Sequence, residues 1–354
     1  MIVAAMEAEA LARSGPGYQA SEPADADARL ARAVSRLQVE DPDASAVRRI
    51  VPWQAAVLAV AAVALAAGLL VAPAATLTLS FAIGTAPSLA VLALRLGALR
   101  RLAAGDDDAP SDVVDADDGL DLPFYSVLVP LYREAAVVPQ LASALDALDY
   151  PKDRLDIILI VERDDGLTKA AIRRAATGPH VRMIEVPDGV PRTKPRALDY
   201  ALTFATGEYV VVYDAEDQPE PDQLRKAVAA FRRLEPRPGC LQARLNVYNP
   251  GESWLTRQFT VEYTALFDGI LPVLERHRLP LMLGGTSNHF PRRVLEDACA
   301  WDPHNVTEDA DLGLRLARRG YRVAMLSSTT WEEAPASGRV WLGQRTRWLK
   351  GWMQ

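Results

Sequence analysis

One stretch, Glu208–Asp222 (EYVVVYDAEDQPEPD), constrains the fold more than any other. Tyr209, Val210, Val211, Val212 and Tyr213 form a short, uninterrupted run of β-formers. A strand that is apolar on both faces belongs in a sheet covered on both sides, the arrangement of parallel α/β sheets. Asp214, Glu216 and Asp217 crowd its exit, and Pro219 and Pro221 are expected to stop the strand and start a helix. In such sheets ligands bind beyond the carboxyl ends of the strands. Carboxylates gathered there repel one another unless a cation sits among them. Mg²⁺ or Mn²⁺ together with a diphosphate suits an all-oxygen ligand set. The plainer alternative is an acidic turn on a solvated surface, because short acidic motifs are common.

The neighbouring segments favour a site. Tyr125–Pro130 (YSVLVP), Leu155–Val161 (LDIILIV) and Val181–Val186 are expected strands; Glu134–Leu148, Lys194–Ala205 and Asp222–Arg233 are expected helices, with Gly207 as a C-cap. This alternation marks an α/β domain with a mostly parallel sheet. Leu155–Val161 also ends in acid, at Glu162, Asp164 and Asp165. Parallel strands bring both acidic clusters to one sheet edge, as a nucleotide-diphosphate site requires. Beyond Gly239 the alternation weakens. Leu241–Tyr248 and Tyr321–Leu326 are expected strands, and Glu252–Leu274 is mostly helical and amphipathic. Gly284 and Gly285 would let backbone approach a ligand closely. Thr307, Glu308 and Asp309 open a helix, where N-capping with acids in the first turn is the ordinary explanation.

Upstream, Trp53–Ala72 and Ala74–Leu94 carry no charge, and about 20 apolar residues span a bilayer core. Arg48 and Arg49 precede the first run; Arg95, Arg100 and Arg101 follow the second. Basic residues at both outer ends place those ends in the cytoplasm, with the turn at Pro73 outside. Residues 1–49 are expected to be a flexible cytosolic tail, 50–101 a transmembrane hairpin, 102–121 an acidic linker and 122–354 the catalytic domain. The net charge of −7 argues against nucleic acid as a partner. Cys240 and Cys299 have no partners at metal-ligand spacing.

The ordered set YSVLVPLYRE, Asp164–Asp165, KPRALDYAL, DAED, TED and QRTRW resembles the membrane-bound family-2 glycosyltransferases, the group that includes bacterial cellulose synthase, over about residues 122–354. The resemblance implies a GT-A, Rossmann-like catalytic domain preceded by two transmembrane helices. It implies inverting hexosyl transfer from a nucleotide sugar, a UDP-sugar foremost, to a glycan or lipid-linked acceptor. That places the chain in the bacterial cytoplasmic membrane, among membrane lipids, with room for further membrane subunits. It assigns Asp164, Asp165, Lys194, Arg196, Asp214, Gln344, Arg347 and Trp348 to the donor, and Asp214 with Glu216 or Asp217 to Mg²⁺ or Mn²⁺. Glu216 stands where the D-x-D pattern has a second Asp. Asp309 matches the general base, and Gly285, Thr286 and Glu308 are acceptor-side candidates. Members of the group usually continue past Q-x-x-R-W into more membrane helices, so a fragment, or an enzyme that does not secrete polymer unaided, is expected.

Two other classes share parts of this pattern. A sugar nucleotidyltransferase is expected to carry a Gly-rich triphosphate loop after its first strand, and VPLYREAA has no glycine. An inactive membrane receptor would have lost acids from positions that here are all carboxylates.

Overall fold

The computed structural model describes residues 23–48, 50–105, 121–175, 178–234 and 237–354. The acidic stretch 106–120 and the first 22 residues, both covered by expectations above, lie outside the described residues. In chain order the main elements are α1 (Pro23–Glu40), α2 (Pro52–Val71), α3 (Pro73–Ala104), β1 (Tyr125–Leu131), α4 (Val138–Asp146), β2 (Leu155–Glu162), α5 (Gly166–Ala175), β3 (Val181–Val186), α6 (Lys194–Leu202), β4 (Tyr209–Val212), β5 (Gln218–Pro219), α7 (Gln223–Arg233), β6 (Cys240–Val247), α8 (Trp254–Thr264), α9 (Leu271–Arg276), β7 (Asn288–Pro291), α10 (Arg292–Asp297), α11 (Glu308–Arg318), β8 (Val323–Glu332) and α12 (Gly338–Trp352).

The strands form one mixed, mostly parallel sheet in the order β3-β2-β1-β4-β7-β6-β8-β5. β3, β2, β1 and β4 run parallel, so the exits of β2 and β4 share an edge. Both faces are covered, as the unbroken apolar runs require. Val127, Val129, Ile157, Leu159 and Val211 pack against α4, α5 and α7 through Leu141, Ile172, Leu224 and Phe231. Leu128, Ile158, Ile160, Val210 and Val212 turn to the other face, where α6, α8 and α11 contribute Leu198, Phe259, Leu312 and Leu316.

Several boundaries differ from the sequence-based expectations for local reasons. α4 starts at Val138 rather than Glu134, because Pro139 fits only a first turn. Pro219 does not start a helix: it pairs with Thr330 in the short edge strand β5, and α7 follows at Gln223. Gly207 is not a C-cap. α6 ends at Leu202, and a Cβ on Gly207 would lie 2.4 Å from the Ser126 amide nitrogen, so close packing on β1 demands glycine there.

The largest difference lies upstream. The described part of the expected tail is α1, an 18-residue helix packed on α6. Leu30, Ala33, Val34 and Leu37 recur at helical spacing and form its inward stripe. Pro23 begins the helix and Pro42 lies beyond its end, so the prolines bound it instead of breaking it. α2 and α3 are long and apolar enough to cross a membrane by length and composition. No residue of α2 is buried by the fold, which leaves Val57, Leu58, Val63 and Leu70 facing outward. α3 continues past the apolar run to Ala104 and reaches the domain: a Cβ on Gly269 would lie 3.2 Å from Ala98 Cβ. Gly269 belongs to a π-helical turn, Ala265–Ile270, between α8 and α9.

Candidate functional site

The shared exits of β1, β2 and β4 form one wall of a cavity of about 400 Å³. Glu134, Glu162, Arg192, Lys194, Asp214 and Glu216 contribute its polar lining. Lys194, at the start of α6, is its central cation. Its Nζ donates to Asp214 Oδ1 and, at 2.7 Å, to the Gly285 carbonyl. Burial alone would lower the Lys194 pKa, but the charges of Asp214 and Glu308 raise it, so the ammonium is held firmly protonated. Arg192 bonds Asp164 at 2.7 Å and Asp188 at 3.1 Å. The bond from Arg192 keeps the exposed Asp164 carboxyl below its usual range.

Carboxylates outnumber cations around this cavity. Burial, then the charge of Asp214, pushes Glu216 up to about 7. Burial, then Asp214 and Glu216, pushes Glu332 up to about 8. Glu134 rises for the same reasons, burial first and Asp214 second. Such crowding of hard oxygens is the electrostatic environment a divalent cation relieves. Among the described residues no three metal-capable side chains already converge on one point.

Four expected site residues face elsewhere. Arg196 is fully buried, with Nη2 on both oxygens of Glu162 at 2.6 and 2.5 Å, so its guanidinium holds β2 to α6 and does not reach the cavity. Asp217 is 1% exposed; its Oδ2 accepts the Asp214 N–H at 2.7 Å and the Thr286 hydroxyl. Through Oδ2 it ties the turn after β4 to the loop before β7, while Oδ1 is buried without a hydrogen-bond partner among the described residues. Thr286 is correspondingly buried and unavailable to an acceptor. Asp165 spends its carboxylate on the N–H groups of Arg133 and Thr168, which fixes Arg133 at φ 61°. The reason is common to all four. Each side chain is drawn inward because it pairs with a polar group that would otherwise be left without a partner away from water.

The TED segment approaches Lys194 beside Gly285. Asp309 Oδ1 accepts the Ala310 N–H at 2.8 Å. Its Oδ2 faces Gly285: a Cβ there would sit 3.4 Å from Asp309 Oδ2 and 3.8 Å from Lys194 Nζ. Glycine at 285 therefore keeps a gap between the acid and the ammonium. A helix N-terminus favours the charged form of a nearby acid and so lowers its pKa. Burial raises that of Asp309 instead and outweighs the Ala310 N–H, Lys194 and Arg347, which pull it down. Glu308 is pushed up to about 7 by burial and then by the charge of Asp309. Ordinary capping does not explain TED, because the Thr307 side chain makes no cap hydrogen bond to α11. Its hydroxyl lies instead against α12, where a Cβ on Gly351 would be 2.2 Å from Thr307 Oγ1.

That contact brings the Q-x-x-R-W helix onto the start of TED. Arg347 is exposed and close enough for its charge to act on Asp309. Trp348 is half-buried against Phe259, and Gln344 Oε1 is buried without a partner. Arg345, which sequence reasoning passed over, anchors α12. It pairs with both Glu262 oxygens, at 2.7 and 2.5 Å, and stacks 4.5 Å over the Trp348 ring. Arg192, Glu134 and Glu332 were missed as well. Glu332 stands at the end of β8 in WEEAP, the same strand-then-acid signal that marked β2 and β4.

The family model described as glycosyltransferase like family 2 matches residues 123–351. The probable glycosyltransferase YdaM of Bacillus subtilis is 29% identical over 235 residues, covering 65% of this chain and 56% of that protein. The beta-monoglucosyldiacylglycerol synthase of Synechocystis is 26% identical over 268 residues, 74% of this chain and 54% of the relative. The chain thus spans about half the length of these curated relatives. Among solved structures, the mannosyltransferase PcManGT of Pyrobaculum calidifontis, in complex with GDP-Man and Mn²⁺, superposes with a TM-score of 0.53 at 25% identity, covering 73% of each chain.

Proposed function

The chain belongs to glycosyltransferase family 2, and from that premise we propose that it transfers a hexosyl unit, with inversion, from a nucleoside-diphosphate sugar to a glycan or lipid-linked acceptor at the cytoplasmic membrane face. One observation carries the proposal: Lys194, Asp214 and Glu216 line one cavity, and Asp309 stands near Lys194 across the gap at Gly285. A relative named as a glucosyldiacylglycerol synthase and a structural neighbour holding GDP-Man support a lipid-linked acceptor and a sugar nucleotide.

In this reading the diphosphate lies along the exits of β1, β2 and β4. Lys194 and Arg192 set fixed positive charge against it, preorganised by their own acid partners. Asp214 and Glu216 would hold a Mg²⁺ or Mn²⁺ ion at the exit of β4. A divalent cation bound there supplies Lewis-acid charge to the departing diphosphate. Asp309 takes the proton of the acceptor hydroxyl at Oδ2, the oxygen left free by the Ala310 N–H. Its raised pKa makes it a better base than a solvated aspartate. Gly285 keeps the acceptor's approach open, and Arg347 and Trp348 close the cleft from α12. α2 and α3 form the membrane hairpin.

The test uses membranes containing the full-length protein, Mn²⁺ and a panel of radiolabelled UDP- and GDP-sugars. Label should enter a lipid or glycan fraction from one donor and vanish with chelator. Release of free sugar alone from every donor, or no turnover, would contradict the proposal.

A further inference from the structure

We propose that residues 23–48, which lie outside the matched family region, are a clamp that fixes the two loops flanking the cleft, with Leu30 and the Ala46 amide as positioning groups. The inference rests on the cleft being the transfer site. Leu30 is buried over Gly189 in the loop between β3 and α6. A Cβ on Gly189 would lie 2.9 Å from Leu30 Cδ2 and 3.0 Å from Arg196 Nη1, so the bare backbone there admits the leucine. Arg192 follows in the same loop and Lys194 opens α6 directly after it, both lining the cavity.

The other end of the clamp holds the opposite wall. The Ala46 N–H donates to Asp302 Oδ2 at 2.6 Å. The Asp302 carbonyl accepts the Asn305 N–H at 3.1 Å, and Asn305 Oδ1 accepts the Thr307 N–H at 2.9 Å, two residues before Asp309. The Thr193 hydroxyl donates to the Pro303 carbonyl at 2.9 Å and closes the circuit between the two loops. Between these ends, Arg36 donates to the Glu296 carbonyl at 2.7 Å, and the Cys299 thiol to Glu40 at 3.1 Å. A Pro- and Gly-rich loop with no ladder of its own belongs to the easily opened part of a structure. A buried leucine and a buried amide bond from outside the domain raise the cost of that opening. The clamp runs directly into α2, so the same segment joins the apolar hairpin to both walls.

Hydrogen exchange on the full-length protein in lipid nanodiscs tests this. Leu30→Ala should speed exchange across residues 188–194 about tenfold or more while leaving β1 and β2 protected as in wild type. It should also weaken binding of UDP or GDP with Mn²⁺ by a similar factor, and Leu30→Met should restore both. Gly189→Ala should perturb the same amides, and combining it with Leu30→Ala should produce less than the sum, because the smaller side chain makes room. Unchanged exchange at 188–194, an equal rise throughout the domain, or strict additivity would overturn the clamp. Failure of the wild type to bind either nucleotide would instead overturn the transfer reading, and the exchange pattern would still decide the clamp.

Discussion

Gly285→Ala separates catalysis from folding at the point where both walls of the cleft meet. The new methyl would sit 3.4 Å from Asp309 Oδ2 and 3.8 Å from Lys194 Nζ, ordinary contact distances on both sides. Nothing has to move to admit it, so the fold should persist. A Gly→Ala change at an unstrained position stabilises by about 0.4–1 kcal/mol through the unfolded chain. Yet the methyl fills the gap through which an acceptor hydroxyl must reach Oδ2, and a base needs that oxygen within about 2.6–3.2 Å. Displacement by about 1 Å costs on the order of a hundredfold in rate, or about 2.7 kcal/mol of barrier. The assay pairs thermal unfolding with transfer kinetics and UDP or GDP affinity in Mn²⁺. The expected variant is as stable as wild type or slightly more so, binds nucleotide normally and transfers about a hundredfold more slowly. Wild-type transfer would refute the placement of the acceptor between Asp309 and Lys194, and a matching loss of nucleotide affinity would move Gly285 to the donor side.

Three further outcomes are expected. Asp214→Asn removes the charged cavity-lining acid and the acid partner of Lys194; calorimetry should show nucleotide binding losing its Mn²⁺ dependence with little change in folding. Transfer should rise with pH along an acid limb set above the ordinary aspartate range, because burial raises the Asp309 pKa and the base works only once deprotonated; a rate flat from pH 4 upward would deny it that role. A reporter fused after residue 110 should behave as cytoplasmic, as the flanking arginines of the hairpin demand, and a periplasmic signal would invert the topology.

The sheet and its acidic edge were legible because local pattern and tertiary environment agree there. An unbroken apolar strand has no stable place except a covered sheet, and β2 and β4 both end in acid at the same edge. Side-chain direction was not legible. Lys194 and Arg196 stand two residues apart on one helix, yet one lines the cavity and the other is sealed against Glu162. Asp217 and Asp214 part in the same way, because Asp217 is claimed by Thr286 from a loop about 70 residues away, a partner no local motif predicts. Arg192 escaped notice because its role depends on Asp164 and Asp188 meeting it in space. α1 was missed for a different reason. Its stripe Leu30, Ala33, Val34 and Leu37 is present in the sequence, but it is short, lies in an acidic and aromatic-poor segment, and takes its stability from packing on α6, which local pattern does not reveal.

The central claim is that this cleft binds a sugar nucleotide on one side and activates an acceptor with Asp309 on the other. Asp309→Asn tests it most directly, with Glu308→Gln as its neighbour control, both in membranes containing the full-length protein. Asparagine keeps the shape of the side chain and can still accept the Ala310 N–H, so nucleotide affinity should hold. Transfer should fall by about two to four powers of ten, the scale of losing a positioned general base. Glu308→Gln should cost far less, since burial and Asp309 already favour a proton on Glu308 near neutral pH. Near-wild-type transfer by Asp309→Asn, or equal small losses in both variants, would contradict the account.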